Sequence, residues 1–129
     1  MERLQESTIL VVDDTPTNIN ILVEALSGLY DVSVATNGPS ALQIAQSSLP
    51  DIILLDIAMP GMDGLELCDR IRALPLHKRT PVIFVTSYTD FQTRARSVLS
   101  GGNDLLTKPI LPTEVCVKVI THLLKRSPA

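Results

Sequence analysis

The chain has 129 residues, with 11 Lys+Arg against 14 Asp+Glu and a formal net charge of -3, which fits one folded domain and leaves no room for a second. Surface scaling puts the folded area at roughly 6,700 Å² against about 20,000 Å² unfolded, so a core can form without disulfide or metal staples. With 45% hydrophobic and 19% charged residues the chain is not compositionally disordered, and its acidic balance argues against direct binding to nucleic acid or anionic lipid.

Cys68 and Cys116 stand too far apart for a redox dithiol or a metal ribbon and read as small buried apolar residues. No run approaches a membrane span, and the start of the chain lacks an apolar secretory segment, so the cytoplasm is the expected compartment.

In chain order, Ile9-Leu10-Val11-Val12 reads as a strand buried on both faces. Thr15-Pro16 then opens a helix whose apolar positions Ile19, Leu22, Val23 and Leu26 share one face up to Gly28. Val32 and Val34 mark a second strand, residues 39–47 a helix opened by Asn37-Gly38, and Ile52-Ile53-Leu54-Leu55 a third strand. A helix over residues 64–73 leads to the strand Val82-Ile83-Phe84-Val85, a weakly apolar helix over 91–99 and a short strand at Leu105-Leu106. The last helix, over 112–124, is expected to turn Val115, Cys116, Val119, Ile120, Leu123 and Leu124 inward. Residues 7–126 form the expected domain, with loose ends at 1–6 and 127–129.

Strict strand–helix alternation implies a doubly wound parallel α/β sheet with helices on both faces, because the crossovers are right-handed. In such a sheet chemistry collects beyond the carboxyl ends of the strands. Those ends carry Asp13-Asp14, Asp56, Thr86-Ser87 and the stretch leading into Lys108-Pro109. Taken singly, each has a plain reading: an aspartate can cap a helix, a lysine can be solvated, a threonine suits a strand. Their coincidence at four strand ends points instead to one crevice.

Three carboxylates about 5 Å apart repel by roughly 3 kcal/mol per pair at an effective dielectric near 20, so the cluster either raises a pKa or recruits a cation. An all-oxygen donor set suits Mg²⁺, which keeps waters and shares phosphate-bearing substrates. Phosphoryl chemistry follows, with Asp56 as the candidate nucleophile and Lys108 and Thr86 neutralising the transferring oxygens.

The segments ILVVDD (9–14), LLDIAMPGMDG (54–64), VIFVTS (82–87) and SGGNDLLTKP (100–109) together resemble the receiver domain of two-component response regulators, over nearly the whole chain. The resemblance implies a flavodoxin-like (βα)5 fold with strand order 2-1-3-4-5. It also implies transfer of a phosphoryl group from the phosphohistidine of a histidine kinase or phosphotransfer protein to Asp56. By the same resemblance Asp14 binds Mg²⁺ directly, Asp13 mostly through water, and the Ala58 backbone carbonyl adds a ligand. Thr86 hydrogen-bonds the phosphoryl group, Lys108 pairs with it, and the peptide bond before Pro109 is cis. Ala58 and Tyr88 match positions that tune phosphoryl lifetime, Tyr88 being equally readable as an ordinary loop aromatic.

One position departs from the pattern. Receivers commonly place Tyr or Phe three residues before the lysine, where Leu105 stands, so a weakened or rewired switch is expected, working through the loop and helix after the fourth strand. The face made by helix four, strand five and helix five, including Leu105 and Val117, is where receivers generally meet partners, and a receiver–receiver dimer there is an expectation. A haloacid-dehalogenase-like phosphatase would want a second aspartate where Ala58 stands. A flavin or nucleotide binder would be repelled by Asp13-Asp14, and a receiver that only docks would not need the intact acceptor and acidic pair.

Overall fold

The computed structural model describes residues 6–87 and 90–125; the loose ends expected at 1–6 and 127–129 lie almost wholly outside them, as does Tyr88. The elements run β1 (Thr8–Val12), α1 (Pro16–Leu26), β2 (Asp31–Ala35), α2 (Gly38–Ser48), β3 (Ile52–Asp56), α3 (Gly64–Arg72), a 3-10 turn (Pro75–His77), β4 (Val82–Thr86), α4 (Phe91–Leu99), β5 (Asp104–Thr107) and α5 (Pro112–Lys125). The strands form one sheet in the order β2-β1-β3-β4-β5, and every neighbouring pair is parallel.

Period-two alternation divides the core between the two faces of the sheet. Ile9, Val11, Ile52, Leu54, Ile83 and Val85 pack with Leu22 and Leu26 of α1 and Val115, Val119 and Leu123 of α5. Leu10, Val12, Ile53, Leu55, Val82 and Phe84 pack with Ala41 of α2 and Leu67, Cys68 and Ile71 of α3. The central strands β3 and β4 are buried along their whole length, which is why they read as continuous apolar runs rather than alternating ones.

Helix α4 is attached most lightly: Ser97 is its only buried residue, while Phe91, Val98 and Leu99 face outward. In α5 the inward stripe is narrower than expected. Val115, Val119 and Leu123 are buried, whereas Ile120 and Leu124 are exposed, because a four-residue step keeps to one face and the intervening positions rotate away. Cys68 is buried as expected but Cys116 only partly so; their thiols donate to the carbonyls of Ser100 (3.0 Å) and Ala25 (3.4 Å). No helix among the described residues is long and apolar enough to cross a membrane.

Candidate functional site

The carboxyl edge of the sheet is built by four strand ends. After β1 the Asp13 amide bonds the Ala35 carbonyl at 3.2 Å, and Asp13 Oδ1 accepts the Thr15 amide at 2.9 Å. This Asx turn leads the chain into α1, with Pro16 in its first turn. Asp56 is the last residue of β3, paired in register with Val85. Beyond it the chain doubles back: the amides of Met59 (3.1 Å) and Gly64 (2.9 Å) both bond the Ile57 carbonyl. Gly61 takes a φ of +76°, which only glycine adopts without penalty. Asp63 then caps α3 by accepting the Glu66 amide at 2.9 Å.

Gly64 packs against the back of the acceptor strand. A Cβ there would sit on the Asp56 carbonyl oxygen, and the neighbouring Ile57 Cα is as close as 2.9 Å. The glycines of this turn are readable in the sequence as a tight exit, but the approach of α3 to the Asp56 backbone is not; it needs the fold.

On the other side, the Lys108 amide bonds the Thr86 carbonyl at 2.9 Å, and the Lys108–Pro109 peptide bond is cis. The Lys108 ammonium stands 3.1 Å from Asp56 Oδ1 and 3.6 Å from Asp13 Oδ2. Thr86 is buried at the end of β4, and Ser87 after it is exposed. Ala58 lies exposed on the loop two residues past Asp56. Leu105 is half-buried and packs against the cluster that contains Phe84.

Asp13, Asp14 and Asp56 each offer a carboxylate oxygen, and these oxygens lie within 4.8 Å of one another. Asp13 and Asp56 are buried while Asp14 is exposed. Burial first, and the neighbouring Asp13 charge second, push the Asp56 carboxyl up to about 6, with Asp14 adding a little; the hydrogen bond and charge of Lys108 pull the other way. One lysine thus does not neutralise three acids.

Asp13 Oδ2 is the one buried side-chain oxygen or nitrogen among the described residues that makes no hydrogen bond; the ammonium at 3.6 Å is beyond hydrogen-bonding reach. An orphaned carboxylate oxygen in an all-oxygen cluster is what a hard divalent cation would satisfy. The donor set therefore fits Mg²⁺. A groove of about 610 Å³ lies at the opposite edge among Pro50, Asp51, His77, Arg79 and Lys125, away from the acidic cluster, so it is charge that marks this site.

The sequence model of the response regulator receiver domain matches residues 9–120. Response regulator PleD of Caulobacter vibrioides is 45% identical over 103 residues, which make up 79% of this chain and 23% of that protein. This chain thus spans under a quarter of that relative. An uncharacterised 14.6 kDa protein of Leptolyngbya boryana is 41% identical over 117 residues, 89% of this chain and 88% of that one. Among solved structures, a putative response regulator from Chloroflexus aurantiacus J-10-fl superposes with a TM-score of 0.87 at 37% identity, covering 92% of this chain and 98% of the other.

Proposed function

The chain belongs to the response regulator receiver domain family, and from that premise we propose that residues 7–126 act as a phosphoacceptor module whose acceptor is Asp56. The observation that carries this reading is the buried Asp56 carboxylate held 3.1 Å from the Lys108 ammonium inside an otherwise acidic cluster.

An oxygen of the ionised Asp56 carboxylate attacks the phosphorus of a phosphohistidine on a histidine kinase or phosphotransfer protein. The P–N bond breaks, its electron pair stays on the imidazole nitrogen, and that nitrogen takes up a proton. Asp13, Asp14, Asp56 and the Ala58 carbonyl would hold Mg²⁺, which supplies positive charge for the transferring oxygens. The Lys108 ammonium leaves its present partner and pairs with a phosphoryl oxygen, and the Thr86 hydroxyl donates to another. Ala58 leaves the face open to water, and Ser87 and Pro109 border the same edge. The acyl phosphate is later hydrolysed at this site, so the only turnover is the domain's own. The acidic balance and the absence of a membrane-length helix among the described residues support a cytoplasmic module that meets proteins rather than nucleic acid or lipid.

With Leu105 in the half-buried position before Lys108, there is no phenolic hydroxyl to move inward. The conformational shift runs through the loop after β4 and the lightly held α4.

Treating the protein with a small-molecule acyl phosphate donor tests the reading. Mass should rise by one phosphoryl group only with Mg²⁺, the label should be acid-stable and base-labile as an acyl phosphate is, and Asp56→Asn should abolish it. An unchanged mass in the wild type, or labelling that survives Asp56→Asn, rejects Asp56 as acceptor.

A further inference from the structure

The groove at the amino edge holds about 610 Å³, within the roughly 300–1,000 Å³ of small-molecule sites. It runs below the starts of β3, β4 and β5, which Pro50, Pro81 and Asn103 precede. Two exposed leucines from separate segments line it: Leu49 after α2, 47% exposed, and Leu76 of the 3-10 turn, 72% exposed. Leu49 is the one non-glycine residue with a positive φ, +50°, among the described residues. A helix that ends in this conformation usually carries glycine there, which adopts it without a steric penalty. A leucine at that position is strained, and it places an apolar side chain at the groove.

The charge of the groove is opposite to that of the chain. Arg79 and Lys125 line it, both exposed and neither in an ion pair among the described residues. The one acid among the described lining residues, Asp51, is turned to β1, where its Oδ2 accepts the Thr8 amide at 2.8 Å. Cations beside apolar walls, in a chain of net charge -3, favour an anion with an apolar body. A peptide strand finds little to pair with, since the amides of Asp51, Ile53 and Asn103 already bond the carbonyls of Thr8, Pro81 and Val82. We propose that this groove is a binding site for a small amphipathic organic acid, whose acid group pairs with Arg79 and Lys125 and whose apolar body packs on Leu49 and Leu76.

Titration of the whole chain with anilinonaphthalene sulfonate, read by its fluorescence, tests the site, with phenylnaphthylamine as the uncharged counterpart. One anion per chain is expected, with a Kd on the order of 10–100 µM, at least about tenfold tighter than the counterpart and displaced by octanoate at about 1–10 mM. Arg79→Glu combined with Lys125→Glu should weaken it about tenfold or more and leave uptake of the counterpart unchanged. Leu49→Gly should weaken it about fivefold while the denaturation midpoint stays level or rises, a split that loss of folding cannot produce. Asp56→Asn should bind as the wild type does, so the site is tested apart from the phosphoacceptor reading. No saturable binding up to about 1 mM overturns the proposal, as does binding that ignores both groove variants or that the uncharged counterpart equals. So does an acidic peptide of alternating glutamate and leucine that binds about tenfold more tightly than the probe, which would make the groove a seat for a partner's acidic segment.

Discussion

At the scale of single residues, the Asp56 carboxyl is the group whose setting is most perturbed. It rises from 3.8 to about 6 because it is buried and faces Asp13, despite Lys108. The folded state therefore binds the proton more tightly than the unfolded one, and metal-free stability falls as pH rises through about 4 to 6. The cost is fully present above pH 6 and absent below about 4. Asp56→Asn removes it, so the variant should be more stable than the wild type at pH 7 by on the order of 2 kcal/mol, the difference closing near pH 4. Urea unfolding at both pH values checks this, and a difference that stays constant with pH refutes the assignment. Excess Mg²⁺ should narrow the gap at pH 7 by stabilising only the wild type's complete donor set. Lys108→Ala removes the one cation at the cluster and pushes Asp56 further up. It should leave Mg²⁺ binding at least as tight, since a competing charge is gone, while phosphorylation no longer produces a conformational response. Titration with Mg²⁺ and a spectroscopic probe on α4 separate the two effects; an intact response would remove Lys108 from the coupling.

At the scale of elements, the turn from β3 into α3 fixes where Asp56 points. Gly64→Ala would drive a Cβ into the Asp56 carbonyl oxygen, and backbone against backbone cannot be relieved by a rotamer change. We expect a loss on the order of 2–3 kcal/mol in denaturant unfolding and slower phosphorylation of Asp56. Gly28→Ala meets nothing within 4 Å and should be neutral or slightly stabilising, which makes it the control. The same turn marks how far sequence reading reaches. The strands were legible because both faces of β3 and β4 are buried, leaving unbroken apolar runs. Four strand ends carrying Asp13-Asp14, Asp56, Thr86 and Lys108 were legible because parallel topology gathers such ends at one edge. Less was readable where apolar residues outnumber the buried positions: Ile120 and Leu124 of α5 fit an inward face by composition, yet Val115, Val119 and Leu123 already fill it. The 3-10 turn Pro75–His77 has no local signature either, since His77 is fixed by Nε2 2.7 Å from the Ala45 carbonyl, 32 residues away in sequence, as well as by Nδ1 2.7 Å from the nearby Thr80 Oγ1. No local pattern encodes the Ala45 contact.

Across the whole molecule the two edges of the sheet have different duties. The carboxyl edge holds mutually repelling acids and gives up stability for chemistry, while the amino edge is stitched by partly buried polar groups that take no part in it. Arg72, at the end of α3, is the centre of that stitching. Its guanidinium donates to the carbonyls of Gly101 (3.1 and 2.7 Å), His77 (2.8 Å) and Thr80 (2.6 Å) and to Asn103 Oδ1 (2.9 Å). Asn103 Oδ1 in turn receives the Val82 amide at 2.8 Å, so one side chain joins α3 to the segments that enter β4 and β5. A lysine has three donors on a single nitrogen and cannot span these acceptors. Arg72→Lys should therefore lose about 2–4 kcal/mol, the cost of leaving several half-buried carbonyls unpaired, read as a lower denaturation midpoint with an unchanged slope. Because Arg72 and the acidic cluster sit at opposite ends of the strands, Mg²⁺ affinity and phosphoryl uptake of the folded variant should stay within about twofold of the wild type, as independent sites do. A variant that keeps its stability would show that the acceptors find water instead. One that loses Mg²⁺ affinity in step with stability would show that the two edges are coupled through β3 and β4 rather than separate.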